Sequence, residues 1–114
     1  MNRDRAYLLH IRDAIERIEQ YVSHGHEAFL KEYHWQDGII RQLEIIGEAT
    51  KRLSSQFREA HPQIPWQRIA GLRDVLIHDY MGVDLTAVWD IVQNRLPELK
   101  AHVLAALEES AEHG

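Results

Sequence analysis

The stretch "LLHIRDAIERIEQYV", residues 8–22, decides what kind of fold this chain adopts. Leu8, Ile11, Ile15, Ile18 and Val22 recur at intervals of 3, 4, 3 and 4, while Arg12, Asp13, Glu16, Arg17 and Glu19 fall between them. That spacing puts the apolar side chains on one face of a helix and the charges on the other. The pattern holds over about 4–23, and "SHGHE" breaks it at Gly25. A period of 3.6 rather than 2 at the opening of the chain points to helices packed on helices.

Working outward, the same period returns. Residues 26–34 allow a short helical turn, and a second long helix is expected from about 36 to 57, with Ile39, Leu43, Ile46, Thr50 and Leu53 as its core stripe. A weaker second stripe through Ile45 and Ala49, flanked by Arg41, Glu48 and Arg52, gives this helix a second neighbour, for which another subunit is a candidate. "HPQIPW" at 61–66 reads as a loop, because residues before proline avoid the helical region and Pro65 can open a new helix. A third helix is expected over about 65–78, with Ile69, Leu72 and Leu76 inward. "YMGVDLT" stops it, Gly82 suits a left-handed cap, and Asp84 can cap a helix over 85–94. Pro97 falls in the first turn of a last helix ending in "LEESAEHG". No stretch alternates with period two long enough for a strand. The expectation is a single all-α domain over 1–114, a bundle of four to five helices.

Composition agrees. The chain is 45% apolar and 27% charged, with 6 Gly and 3 Pro, which suits long helices and not a turn-rich sandwich. It has no cysteine, so no disulfide framework or thiolate metal site exists. The N-terminus "MNRDRAYLLHIRDAIERIEQ" lacks the unbroken apolar core of a signal peptide, and no run approaches the ~20 apolar residues that span a bilayer. A soluble cytoplasmic protein without a membrane partner is expected. The formal net charge of −5 and the lack of any Lys/Arg block exclude a protein that coats long nucleic acid through a basic face. Contact with nucleic acid must then be local and built from arginine, whose planar fork holds a phosphate bidentately.

"RDVLIHDY", residues 73–80, concentrates the chemistry. An arginine and a histidine five apart are usually a solvated helix face and a ring facing the helix dipole. On a helix, positions 73 and 78 stand ~140° apart and ~7.5 Å apart along the axis, so a surface pair is not what the spacing serves. Either the helix ends near His78 and its ring swings back towards Arg73, or a two-fold axis brings two copies into one cleft. Arg73, Ile77 and Tyr80 share a face by i,i+4 and i,i+3 spacing. Arg73 supplies a permanent cation, His78 a group of the kind that exchanges protons near neutral pH, and Tyr80 a hydroxyl, with Asp74 and Asp79 placed to orient or screen them. Arginine plus histidine is a minimal kit for cleaving a phosphodiester without a metal. The histidine takes the 2′-OH proton and the arginine stabilises charge on the phosphate.

"GLRDVLIHDY" resembles the R-x4-H-x-Y signature of the HepT-like toxins, a branch of the HEPN superfamily. "RQLEIIGEATKRLS" (41–54), "PWQRIAGLRDVLIHDY" (65–80) and "VDLTAVWDIVQNRLPEL" (83–99) resemble that family in order and spacing, so the likeness covers nearly the whole chain after about residue 5. The resemblance implies a HEPN helical bundle and a homodimer with its two motifs facing across a cleft. It implies metal-independent RNA cleavage by Arg73 and His78, supported by Asp74, with no cofactor. It further implies a minimal nucleotidyltransferase antitoxin of the MntA kind as partner, which silences the toxin by adding AMP to Tyr80.

Other candidates read more plainly. His24, His26 and His34 lack a third metal ligand at a telling spacing and read as a hydrated loop. Glu48 is either an orienting partner of Arg73 or half of an intrahelical pair with Arg52 or Arg41. Trp35, Trp66 and Trp89 read as core or interface anchors. Ser54 and Ser55 have no base nearby in sequence, and no Gly-rich phosphate loop is present. Two further readings stand beside the ribonuclease: a non-catalytic HEPN module that binds nucleotide or serves a nucleotidyltransferase as partner subunit, which the acidic charge favours, and a plain dimerising helical protein.

Overall fold

The computed structural model describes the main chain of residues 2–72 and 85–113 and the side chains of 3–72 and 85–109. The motif residues Arg73, Asp74, His78 and Tyr80, together with Leu76, Ile77, Asp79, Gly82 and Asp84, lie outside the described residues. Three long helices carry the described part of the bundle: α1 (Asn2–Val22), α3 (Tyr33–Arg52) and α7 (Leu96–His113). Short ones join them: α2 (His26–Lys31), α4 (Ser55–Ala60), α5 (Trp66–Ala70) and α6 (Leu85–Asp90). No described residue is in a strand, so the all-α bundle read from the periodicity is what forms. None of the described helices is long and apolar enough to cross a membrane.

The two stripes meet as expected. Leu8, Ile11, Ile15 and Ile18 of α1 and Ile39, Leu43 and Ile46 of α3 are all at most 1% exposed. Each such side chain contributes roughly 1.5–3 kcal/mol through burial. Thr50 is fully buried in the same stripe because its hydroxyl donates to the Ile46 carbonyl, 2.8 Å away. Gly38 leaves room for a ring of α1: a Cβ there would stand 3.0 Å from the Tyr21 ring. Gly25, with φ 95°, makes the turn after α1, as a residue without Cβ can.

The second long helix runs from Tyr33 to Arg52, not to 57. Ser54 is the reason. Its hydroxyl accepts from the Phe57 N–H at 3.0 Å and caps α4, which ends the previous helix. The carboxylate of Asp4, buried at the start of α1, accepts from the Ser54 N–H at 2.8 Å and from its hydroxyl at 2.7 Å. A second tie at the same end runs from the Arg5 guanidinium to the Leu107 carbonyl, 3.1 Å. Removing a buried charged acceptor from two part-buried donors costs both hydrogen bonds, so Asp4→Ala is expected to lower the unfolding free energy by about 2–3 kcal/mol. The urea midpoint should fall with an unchanged slope. A midpoint equal to that of the parent would show that the latch contributes nothing.

Beyond α6 the chain does not break before Pro97. Residues Ile91–Arg95 form a π-turn that runs directly into α7, with the Leu96 N–H bonded to the Ile91 carbonyl five residues back. Proline has no N–H to donate and crowds the preceding turn, and a widened turn accommodates it. It also keeps the core stripe straight. Val88, Val92 and Leu96 are buried at successive intervals of four. In an α-helix each such step overshoots a full turn by about 40°, whereas a turn of more than four residues holds all three on one face.

Candidate functional site

The motif segment is anchored at both ends by the core. Upstream, the Trp66 indole N–H donates to the carbonyls of Arg58 at 3.1 Å and His61 at 3.0 Å, which closes the "HPQIPW" loop and fixes where α5 begins. Ile69 of α5 is buried, the Gly71 N–H bonds the Gln67 carbonyl at 3.0 Å, and Leu72 is half-buried against the core. Arg73 follows Leu72 directly. Downstream, Val88 is 1% exposed, and the Trp89 ring lies against Phe29 (5.1 Å between centroids) and His26 (4.6 Å). The side-chain amide of Gln36 donates to the Phe29 carbonyl at 2.9 Å and so holds α2, and with it that contact, in place. The described residues on either side of 73–84 are thus packed into the core.

Beside Leu72 lies a cavity of about 390 Å³, within the usual size of small-ligand sites. Its floor is apolar, formed by Ile64, Ile69, Leu72, Ile91, Leu96 and Leu99. Its rim carries Arg68, Arg95, Gln63, Glu98 and His102. Arg68 and Arg95 are exposed, and neither makes an ion pair among the described residues, whereas the His102 ring reaches Glu98 at 4.0 Å. The sequence reading missed this cavity. Arg68 and Arg95 sit on different elements, and no local spacing connects them.

A second hollow of about 390 Å³ lies on the side of α3 that faces away from the core. Tyr7 and His10 of α1 and Arg41, Glu44, Ile45 and Arg52 of α3 line it, with the Tyr7 and His10 rings edge to face at 5.9 Å. Ile45 is half-buried there, as the weaker stripe implied. Glu48, in the same wall, pairs with Lys51 at 3.7 Å, one position short of the Arg52 that the sequence offered as partner.

The three histidines near the first turn are all exposed, as the hydrated reading expects, but His26 and His34 lie in α2 and α3 and each ring also meets a tryptophan. His24 stacks on Trp35 at 4.1 Å and 21°, His34 lies 4.5 Å from the same ring and 3.4 Å from the Glu32 carboxylate, and His26 lies 4.6 Å from Trp89. Among the described residues no group of three or more His, Asp or Glu is arranged to hold a metal. Ser54 is a cap, and Ser55 is exposed at the start of α4.

The family model described as "Ribonuclease HepT-like" matches residues 11–106, a span that includes the motif. A Methanocaldococcus jannaschii protein named "Gamma-glutamylcyclotransferase and putative RNase" is 44% identical over 106 residues, covering 92% of this chain and 48% of its own, so the chain spans about half the length of that relative. A "Putative RNase" of Caldanaerobacter subterraneus is 41% identical over 110 residues, covering 96% of this chain and 98% of that one. A "Probable ribonuclease HepT" of Thermococcus cleftensis is 45% identical over 95 residues, covering 82% and 86%. No solved structure matches the chain.

Proposed function

The chain belongs to the HepT-like ribonuclease family, and from that premise we propose that it is the toxin of a toxin–antitoxin pair: a metal-independent endoribonuclease working as a homodimer, silenced by AMP on Tyr80. The observation that carries this reading is the intact R-x4-H-x-Y motif at 73–80 inside the matched span 11–106. His78 takes the proton of a ribose 2′-OH, the 2′-oxygen attacks the adjacent phosphorus, and the bond from phosphorus to the 5′-oxygen breaks. The imidazolium returns its proton to the departing 5′-oxygen. Arg73 holds the phosphate oxygens as charge builds on them, and Asp74 orients the arginine.

Two copies related by a two-fold axis bring their motifs to one cleft and gather four groups, two arginines and two histidines, around one RNA strand. The outer side of α3, with Ile45 half-buried, supports a self-complementary contact there. The partner is a minimal nucleotidyltransferase of the MntA kind. The net charge of −5 favours a second reading, in which the chain is a non-catalytic nucleotide-binding or partner subunit of such an enzyme.

One assay separates them. Purified protein incubated with single-stranded RNA in excess EDTA is expected to produce fragments ending in 2′,3′-cyclic phosphate, scored by end-specific enzymatic treatment and mass spectrometry. RNA left intact at micromolar protein, with the dimer confirmed by sedimentation, would establish the non-catalytic reading instead.

A further inference from the structure

We infer that the cavity beside Leu72 is a binding subsite for an unpaired nucleotide of the RNA strand, one that flanks the cleaved bond. This rests on the ribonuclease reading for what the strand is, and on the geometry for where it goes. Leu72, the residue that precedes Arg73 in the chain, lines the cavity, and this direct continuity with the motif is what associates the cavity with the strand. The cavity reverses the sign of the molecule around it. In a chain of net charge −5, the described rim places two guanidiniums against one carboxylate, and that carboxylate already faces His102. Arg68 and Arg95, exposed and without an acid partner among the described residues, have their forks free for phosphate oxygens.

The interior suits a base rather than a bare anion. An apolar floor of Ile64, Ile69 and Leu99 receives an aromatic ring face. The Gln63 amide and the His102 ring supply donors and acceptors at the rim for a base edge. About 390 Å³ admits one base with its sugar. A base stacked inside a duplex cannot enter such a hollow, so the subsite selects unpaired RNA: loops, bulges and ends. Arg68, Arg95 and Gln63 are then residues that set where the strand is cut, while the motif does the cutting.

The test uses the full-length protein and a fluorescein-labelled 12-nucleotide single-stranded RNA. His78→Ala serves as the parent for binding, so that RNA is not consumed. On this parent, Arg68→Ala and Arg95→Ala are each expected to raise Kd about tenfold and to flatten the slope of log K against log salt by about 1. Arg68→Lys should keep the salt slope while recovering only part of the affinity. Glu98→Gln should shift Kd the other way, tighter by roughly twofold. Circular dichroism establishes that the exposed-site variants keep the fold. If both alanine variants bind with the parent's Kd and salt slope, the subsite is overturned, and cleavage by the His78-intact protein would leave the ribonuclease reading standing. If the variants weaken binding but the His78-intact protein cleaves nothing, the subsite stands and the ribonuclease reading falls. If they instead lose only a nucleotidyltransferase partner in co-purification, the cavity is a protein-docking site and the proposal is wrong.

Discussion

Arg73→Ala and His78→Ala are each expected to lower RNA cleavage by on the order of a thousandfold while leaving the helical fold intact. A positioned general base contributes 10²–10⁴, and a cation aimed at developing charge contributes a similar factor, so either loss alone is worth about 4 kcal/mol of barrier. The pair also reports on architecture. If each active centre takes Arg73 from one subunit and His78 from the other, mixing the two inactive variants rebuilds one good centre in every mixed dimer. Equal amounts, unfolded and refolded together, should then regain about a quarter of parental activity. If both groups of a centre come from one chain, the mixture stays inactive. Full activity in both single variants would remove the motif from the chemistry altogether.

Tyr80→Phe is expected to keep cleavage and to escape silencing by a co-expressed nucleotidyltransferase, leaving activity on the order of a hundredfold above that of the silenced parent. The change removes one oxygen, the atom that would accept AMP. With AMP in place, a phosphate and a purine stand two residues from His78 and seven from Arg73. The phosphate then competes for the guanidinium meant for RNA, and the purine adds bulk at the same place. Mass spectrometry of the co-expressed parent should show AMP increments on the peptide containing Tyr80 and none in Tyr80→Phe. A silenced parent without that increment would mean that the partner inhibits by binding alone, and the modification model would be abandoned.

What could be read in advance follows from the range of the interactions involved. The stripes of α1 and α3 were legible because burial of one face repeats every 3.6 residues, so Ile11, Ile15, Leu43 and Ile46 announce themselves locally. The end of α3 was not. Phe57 extends the apolar pattern, but Ser54 caps a new helix, and the carboxylate that fixes Ser54 comes from Asp4, 50 positions away. The continuous run from Leu85 to His113 was obscured by Pro97, which reads as a boundary until the i−5 bond of Leu96 is known. At the site, the side-chain types at 73, 78 and 80 were plain in sequence, because their chemistry needs no context to be noticed. The neighbouring cavity was silent, since Arg68 and Arg95 become neighbours only when α5 folds against the last helices. The ring contacts of His24, His26 and His34 were silent for the same reason: their exposure could be read locally, but not the tryptophans on which they pack.

The π-turn at Ile91–Arg95 has a bearing on how tolerant this segment is to changes in length. A widened turn stores one residue more than an α-helix of the same rise requires. Loss of the exposed Gln93 would let the run relax to ordinary α geometry without a break, and because the widened turn already absorbs that residue, the stretch ahead of it would keep nearly the same facing relative to α7. Val88 and Leu96, then seven residues apart, would still fall within about 20° of one another on the core side. Single-residue deletions at the exposed positions 93–95 should therefore leave the core stripe in register, whereas deletions in the α-helical turns on either side, which hold no surplus residue, should be tolerated far less well.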